Sequence, residues 1–275
     1  MKILATVRYV DELTVGYCIK SIESQNHKVD NIILVDNIYP GFKSSNTCMD
    51  YGYENGYDYV WKVDADIIMS KNSLDIYLFP MNDNVFAVYA RAIDFIQGPN
   101  SAGGTFLFNM NLLKNKYRYE YNLYPDASFV DRVKAETGWE HIRQGIDVAI
   151  HHPIYTPFTI YRKIRVALSK YSDKSWYVDI YKRFLYRGIK SYPDNITIKV
   201  GMDILHKILE NPKSEIWKLN DNDFSVLKKE WDIFKKSYML DGSEFYAMHG
   251  WENIAKTILN EGVNIPNNIE RVVDG

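Results

Sequence analysis

The chain has 275 residues, of which 46% are hydrophobic and 25% charged, and its formal net charge is −2. A composition of this kind is typical of soluble globular proteins. It argues against a broad nucleic-acid-binding role, because neutralising phosphates requires a cationic excess. The two cysteines, Cys18 and Cys48, cannot form a disulfide framework. The first residues reach Arg8 and Asp11 too soon to form the apolar core of a signal peptide, so we expect a cytoplasmic protein.

The first part of the chain alternates between strand and helix patterns. Short apolar runs indicate strands, and apolar residues at helical spacing indicate helices between them. In chain order, these predicted elements cover residues 2–7, 15–25, 30–37, 47–57 and 58–66. Residues 39–46 contain Pro, Gly and Ser and are predicted to form a loop. Alternation of this kind is typical of an α/β protein with a parallel sheet and helices on both of its faces.

Strand and helix signals continue to about residue 157. We expect a strand over 84–94, and a glycine turn followed by a strand and the start of a helix over 103–115. A helix over 126–138 ends at its glycine, and a short strand over 146–153 is stopped by proline.

The character of the chain changes near residue 160, where strand signals fade. Amphipathic helices are predicted at 175–190, 201–211, 223–240 and 251–262. The sequence therefore predicts a catalytic α/β domain over residues 1–160 and a mainly helical region over residues 161–275.

Polar side chains follow three separate predicted strands. Arg8, Asp36 and the pair Asp64 and Asp66 all lie where a strand ends. In parallel sheets, ligands collect at the carboxyl ends of the strands. We therefore expect these residues to contribute to one binding site.

The carboxylates of Asp64 and Asp66 interrupt an apolar stretch, YVWKVDADIIM. Side chains at i and i+2 of an extended segment point to the same side, so the two should face one site. Mg²⁺ and Mn²⁺ prefer hard oxygen ligands such as carboxylates. The alternative is that Lys62, Asp64 and Asp66 form the solvated face of an edge strand.

This motif and its setting resemble the DxD motif of GT-A glycosyltransferases, most closely the family 2-like group. The resemblance implies a Rossmann-like, mixed and mainly parallel sheet flanked by helices, with a helical C-terminal region. It implies that Asp66 is a metal ligand and that Asp64 contacts ribose or metal. A divalent cation, Mn²⁺ or Mg²⁺, would bridge the diphosphate of a nucleotide-sugar.

Other segments extend the resemblance. The run IILVDN is similar to the second strand of the family, so Asp36 would contact the nucleotide base, and Thr6, Arg8 and Lys62 are assigned to the nucleotide with it. The Gly-rich segment would line the sugar and acceptor pocket. Its residues are Gly103, Gly104 and Thr105.

The segment YPDASFVDRVKAETG resembles the family segment that carries the catalytic base. Asp126 would be that base, Arg132 would bind sugar or acceptor, and Asp131 remains a rival base. Pro125 stands where the family usually has Glu, and the first strand lacks the usual Thr-x-Asn. The run VAIHHP resembles a strand that supplies a further metal ligand, His151 or His152.

Each of these residues also has an ordinary structural explanation. Asp126 could cap a helix, Gly103 and Gly104 could form a plain turn, and Arg132 could be a solvated surface residue. Adjacent residues on a strand point to opposite faces, so at most one of the two histidines is expected to reach a given metal.

The function that these features predict is transfer of a sugar, with inversion, from a UDP- or GDP-linked donor to a hydroxyl group. The acceptor would be a carbohydrate, a lipid-linked molecule or a protein. One alternative is a HAD-like phosphatase, although Ile68 stands where that group usually has Thr or Val. Another is a non-catalytic GT-A-fold binding or scaffold protein, for which metal-dependent nucleotide binding without turnover would be evidence.

Residues 162–190 are distinctly basic and interleaved with aromatic residues. This segment could clamp the diphosphate, or it could give the protein a peripheral contact with an anionic membrane that carries a lipid-linked acceptor. The alternative is a solvated helix face over an aromatic core. The basic residues are Arg162, Lys163, Arg165, Lys170, Lys174, Lys182, Arg183, Arg187 and Lys190.

Overall fold

The computed structural model describes residues 1–94, 98–121, 125–170, 175–191, 193–210, 224–240 and 243–273. The chain divides into two compact units, one formed by residues 1–153 and 262–275 and the other by residues 154–261. The sequence places a division near residue 160 but does not anticipate the return of the last residues to the first unit. The assignment of catalysis to the first unit stays a prediction.

An eight-stranded mixed sheet forms the centre of the first unit, in the order β10-β2-β1-β3-β6-β5-β7-β4. Strand β6 is antiparallel to β3 and β5, and β4 is antiparallel to β7, whereas the other neighbours are parallel. The strands within the described residues are β1 (Ile3–Tyr9), β2 (Asn31–Asp36), β3 (Tyr59–Asp64), β4 (Ile67–Met69), β5 (Val85–Asp94), β6 (Gly98–Asn109), β7 (Glu140–His151), β8 (Ile154–Tyr155), β9 (Tyr246–Ala247) and β10 (Glu270–Val272).

Helices lie against both faces of this sheet. They are α1 (Val15–Glu23), α2 (Gly41–Glu54), α3 (Ser73–Leu78), α4 (Met110–Leu113) and α5 (Pro125–Thr137). The predicted fold class, a mixed and mainly parallel sheet flanked by helices, is confirmed.

The alternation of side chains along the strands divides the core into two layers. Ala5 and Val7 of β1 pack with the apolar residues of α1 and α3, whereas Leu4 packs with those of α2, α4 and α5. On β3, Trp61 belongs to the first layer and Val60 to the second. Because every second residue shares a face, the polar residues Thr6, Arg8, Lys62 and Asp64 lie on the α2 and α5 side of the sheet.

The second unit is mainly helical, as predicted for this part of the chain. Its helices are α6 (Pro157–Lys170), α7 (Ser175–Ser191), α8 (Ile196–Glu210), α9 (Phe224–Phe234), a 3₁₀ helix (Lys235–Tyr238) and α10 (Glu252–Glu261). Asn195 caps α8, because its Oδ1 accepts from the backbone N–H groups of Thr197 and Ile198. Strands β8 and β9 form a small antiparallel pair. Among the described residues, every helix falls short of the length and apolar character that crossing a bilayer requires.

Two predicted boundaries near the strand ends are wrong. The loop predicted over 39–46 is helical from Gly41 onward, because Ser44 and Ser45 are buried and Ser44 Oγ bonds within the helix to the carbonyl of Gly41. The strand predicted over 58–66 ends at Asp64, and the next two residues form a turn before β4. The rule that i and i+2 share a side therefore does not apply from Asp64 to Asp66.

Pairing with distant strands also extends two elements beyond their predicted bounds. Gly103 and Gly104 lie inside β6 and do not form the predicted turn. Strand β7 begins at Glu140, where it pairs with Val85 at the start of β5, although the sequence predicts a strand only from 146. Pairing of Ala102 and Phe106 with β5, on either side of the two glycines, and of Glu140 with Val85 holds these segments in the sheet despite their weak local pattern.

The edge strand β10 comes from the last described residues and was not predicted. It pairs parallel with β2, and Glu270 accepts a 2.7 Å hydrogen bond from Tyr51 Oη that raises the pKa of Tyr51 to about 12. The backbone carbonyl of Asn264 lies against Gly16 of α1, where a Cβ would be only 2.0 Å from the carbonyl oxygen. The C-terminal segment is thus packed on the first unit at both a helix and a strand.

Replacing Gly16 by Ala should lower the free energy of unfolding by about 1–3 kcal/mol, because the new methyl group must displace the Asn264 backbone. Urea denaturation followed by circular dichroism measures this change. Gly41→Ala is the matched control, since a Cβ there meets nothing within 4 Å, and its stability should stay within about 0.5 kcal/mol. Equal stabilities for both variants would contradict the observed packing of the C-terminal segment.

Candidate functional site

Three side chains of the kinds that ligate metals converge where β3 gives way to β4. Asp66 Oδ2 lies 2.9 Å from Nε2 of His152, and Asp66 Oδ1 lies 3.5 Å from Nε2 of His151. Antiparallel pairing of β4 with β7 sets Ile67 opposite His151, and the His152 N–H donates to the Asp66 carbonyl at 2.9 Å. One ligand atom from each of the three side chains lies within 4.8 Å of the others.

The expectation that at most one histidine reaches the site is wrong. Strand β7 ends at His151, and His152 has a left-handed backbone with φ of 51°. A non-glycine residue rarely adopts this conformation, and it removes the alternation of faces that a regular strand would impose. Both imidazoles therefore lie beside the same carboxylate.

The Asp66 carboxylate has the properties of a cation ligand. Its burial alone would raise the pKa of Asp66, but the imidazoles of His152 and His151 outweigh burial and hold that pKa well below its usual range. Oδ1 is buried and accepts no well-aligned hydrogen bond from the described residues. An ionised carboxylate with a spare buried oxygen, next to two imidazole nitrogens, fits a divalent cation with mixed nitrogen and oxygen ligands.

Sequence reasoning missed a further carboxylate, Asp94, at the end of β5. It is fully buried, and its Oδ2 lies 3.1 Å from Nδ1 of His151. The sequence does contain a signal for Asp94, because this residue ends an apolar strand as Asp36 and Asp64 do.

Asp64 has different partners from Asp66. Its Oδ1 accepts a 2.6 Å hydrogen bond from Nε of Arg8, and Nη2 of the same guanidinium also contacts this oxygen. Arg8 Nη1 donates to Ser45 Oγ at 2.9 Å. On the other side, a Cβ at Gly104 would lie 1.6 Å from Asp64 Oδ2, so only glycine leaves room for this carboxylate. Asp64 thus lies outside the group formed by Asp66 and the two histidines.

A buried lysine holds the predicted catalytic base. Lys62 is fully buried on β3, and its Nζ donates to Asp126 Oδ1 at 3.0 Å. Tyr119 Oη donates to the same oxygen at 2.9 Å. The ammonium group also lies 4.9 Å from the centre of the Phe106 ring. Neither hydrogen bond uses Oδ2 of Asp126.

The ionisation of this group follows from burial and charge. Burial lowers the pKa of Lys62, an effect that Arg8 strengthens and that Asp126 and Asp64 oppose. Desolvation raises the pKa of Asp126, but Lys62 and Arg8 outweigh it and bring that pKa below its usual value. Burial, followed by the charge of Asp126, raises the pKa of Tyr119 well above normal, so its hydroxyl stays protonated and remains a donor.

Asp36, which is predicted to contact the nucleotide base, already has hydrogen-bond partners within the fold. Asp36 is 7% exposed at the end of β2. Its Oδ1 accepts from Asn37 Nδ2 at 2.7 Å, and its Oδ2 accepts from Arg271 Nη1 at 3.3 Å. Arg271 belongs to β10, so the C-terminal strand supplies a cation to the place where a nucleotide base is expected.

Three other predicted residues make contacts within the fold. Thr6 is fully buried, and its hydroxyl lies 3.5 Å from the Trp61 carbonyl. Thr105 is buried with its hydroxyl against that of Tyr77. Arg132 on α5 bonds to the Arg118 carbonyl and to the Glu120 carboxylate, which is 3.3 Å away. None of these contacts involves Asp64, Asp66 or the histidines.

The basic segment predicted over 162–190 belongs to the second unit, and its side chains have varied surroundings. Arg165 is buried, and Lys163 Nζ donates to Tyr155 Oη at 2.8 Å. Lys174 and the side chain of Lys170 lie outside the described residues. The exposed basic residues include Arg183, Arg187 and Lys190.

No protein-family model matches the chain, and no curated protein sequence matches it. Among solved structures, it is similar to glucosyl-3-phosphoglycerate synthase from Mycobacterium tuberculosis in complex with Mn²⁺, UDP and phosphoglyceric acid. The two share 13% identity over 62% of this chain and 78% of that chain, with a TM-score of 0.44.

Two further solved structures resemble parts of the chain. The catalytic domain of Drosophila beta1,4galactosyltransferase 7, in complex with xylobiose, has 16% identity over 55% of this chain and 70% of its own, with a TM-score of 0.39. The 4-diphosphocytidyl-2C-methyl-D-erythritol synthase of Anaerococcus prevotii has 12% identity over 52% and 86%, with a TM-score of 0.41. Similarities of this size do not carry an activity from one protein to another.

Replacing Asp126 by Asn should lower the free energy of unfolding by about 1–3 kcal/mol, because Lys62 then stays buried without its carboxylate. The loss is smaller than for a wholly enclosed pair, since the Asp126 side chain is 46% exposed. Urea denaturation at neutral pH measures it. Asp131→Asn changes an exposed carboxylate of the same helix and should have almost no effect. Equal losses in both variants would show that Lys62 does not depend on Asp126.

Proposed function

We propose that this chain is a metal-dependent glycosyltransferase that moves a sugar from a nucleoside-diphosphate sugar to an acceptor hydroxyl, with inversion. The observation that supports this most is the convergence of Asp66, His151 and His152 at the end of β3, next to the ion pair of Asp64 and Arg8. A cation site beside a strand end of a mainly parallel sheet is the arrangement expected for binding a nucleotide diphosphate.

The cation would be held by Asp66 and the two imidazoles. Mg²⁺ prefers oxygen ligands, whereas imidazole suits transition metals, so two nitrogens and one carboxylate favour Mn²⁺ over Mg²⁺. When bound, such a cation supplies positive charge to the departing diphosphate. Asp66 contributes by remaining ionised near neutral pH, as its lowered pKa requires.

The nucleotide is assigned to the strand ends beside the cation. Asp64 would contact ribose, and Arg8 fixes its orientation through two contacts to one carboxylate oxygen. Asp36 would read the base, and a base N–H would share or displace the contacts that Asn37 and Arg271 make there. Thr6 and Lys62 are part of this prediction too, although in the structure both are fully buried.

Asp126 is assigned as the base that accepts the proton of the acceptor hydroxyl. Lys62 and Tyr119 hold Oδ1, which leaves Oδ2 to take the proton. The lowered pKa of Asp126 keeps the carboxylate ionised before the reaction. It also weakens the base, because a general base works best when its pKa lies near the working pH. For the same reason, protonated Asp126 releases its proton readily to solvent after the reaction.

The remaining assignments stay predictions of the same proposal. Gly103, Gly104, Thr105 and Arg132 are assigned to the sugar and acceptor. Donors linked to UDP or GDP, acceptors that are carbohydrate, lipid-linked or protein, a cytoplasmic location and a peripheral membrane contact are equally predictions. A phosphatase that uses Asp64 as nucleophile is not favoured, because Arg8 already engages that carboxylate.

Isothermal titration should show tighter binding of Mn²⁺ than of Mg²⁺ to the wild-type protein. Asp66→Asn should weaken Mn²⁺ binding by more than about 100-fold, since losing a ligand costs more than losing an outer partner. Titration of UDP and then GDP should show binding that depends on Mn²⁺. The control is Asp83→Asn, which changes an exposed carboxylate just before β5. Equal affinity for Mn²⁺ in the Asp66 variant, or nucleotide binding without any metal dependence, would contradict the proposal.

Asp126→Asn should reduce the turnover of sugar transfer by about 10²–10⁴-fold while leaving Mn²⁺ affinity unchanged, because Asp126 is not one of the three residues that would hold the cation. Release of the nucleotide diphosphate from the donor that binds best provides the assay. Asp131→Asn, the rival base, should retain wild-type turnover. Full transfer by the Asp126 variant would remove Asp126 from the mechanism, and a loss confined to the Asp131 variant would reassign the base.

A further inference from the structure

A buried carboxylate contacts the candidate metal ligand His151 on the ring nitrogen that faces away from Asp66. Asp94 is the last residue of β5, and its side chain has no solvent exposure. Its Oδ2 lies 3.1 Å from Nδ1 of His151, whereas Nε2 of that imidazole faces Asp66 at 3.5 Å. Burying a carboxylate is costly unless it is paired or hydrogen-bonded, so this position needs an explanation.

Strand pairing brings Asp94 to the histidine. Strands β5 and β7 run parallel and place Asp94 directly opposite His151. Strands β4 and β7 run antiparallel and place Ile67, the residue after Asp66, opposite the same histidine. His151 therefore lies between a carboxylate from one neighbouring strand and a carboxylate at the start of the other.

The two ring nitrogens of a histidine are chemically linked. A metal binds the nitrogen that carries no proton, and the hydrogen bond made by the other nitrogen decides which one that is. A carboxylate at Nδ1 keeps the proton there, directs the Nε2 lone pair outward and fixes the plane of the ring. In this protein Nε2 is the nitrogen on the side of Asp66.

We propose that Asp94 is a positioning residue for the metal ligand His151. It holds the imidazole with Nδ1 protonated and with Nε2 directed at the cation that Asp66 and His152 also bind. This inference rests on the metal site of the proposed function. It adds a residue that contacts neither cation nor substrate but sets the affinity of the site.

Titration with Mn²⁺ alone tests the proposal. Asp94→Ala should weaken Mn²⁺ binding by about 10–100-fold. Asp94→Asn should weaken it by less, because the amide oxygen of Asn can accept a hydrogen bond from Nδ1. The fitted stoichiometry gives the fraction of the protein that is folded. It therefore distinguishes weaker binding by folded protein from a loss of folded protein. Asp83→Asn is the matched control and should bind Mn²⁺ like the wild type. A folded Asp94→Ala protein with wild-type affinity would overturn the proposal.

A second measurement needs no variant and no metal. Long-range ¹H–¹⁵N spectra of the metal-free wild-type protein, recorded where the imidazole is neutral, should show the His151 proton on Nδ1. A proton on Nε2 would overturn the assignment even if every Asp94 variant failed to fold. Wild-type protein that binds no Mn²⁺ but shows the Nδ1 proton would refute the proposed function and leave the contact between Asp94 and His151 established.

Discussion

The short antiparallel pairing of β4 with β7 is the constraint on which the site depends. Strand β4 has only three residues, yet their register sets His151 opposite the residue that follows Asp66. β7 is in turn held by its long parallel pairing with β5. A slip of one residue would point every side chain of the strand to the other face, so the position of His151 is a property of the sheet. The left-handed backbone of His152 then brings the second imidazole to the same carboxylate.

Three pairs of charged or ionisable side chains lie in or beside the core of the first unit. Lys62 and Asp126, Arg8 and Asp64, and Asp94 and His151 each join oppositely charged or ionisable partners that the core would not accept singly. Such pairs add little net stability compared with apolar packing, but they cost much when one partner is removed. Their arrangement therefore speaks for function more than for folding. It holds the carboxylates of Asp126 and Asp64 and the imidazole of His151 at defined orientations.

The sequence was sufficient for the fold class and for the strands that bring Arg8, Asp36 and Asp64 to one edge of the sheet, because apolar periodicity records which segments are buried. It could not supply what depends on long-range pairing. Composition indicated a loop where α2 begins, since burial of its serines is decided by the sheet. Alternation along a strand excluded one histidine, because no local signal reveals the left-handed backbone of His152. The sequence shows that Asp94 ends an apolar strand, but the contact of Asp94 with His151 and the pairing of β10 with β2 depend on neighbours far away in sequence.

The pairing of β10 with β2 has a consequence for how the chain is made. Arg271 and Asp36 are 235 residues apart, and the whole of the second unit is synthesised between them. Until residues 262–273 leave the ribosome, β2 is the outermost strand of the growing sheet, and its row of unpaired N–H and C=O groups is open to other chains. If the sheet forms before the helical unit has been translated, this edge stays exposed for as long as that translation takes.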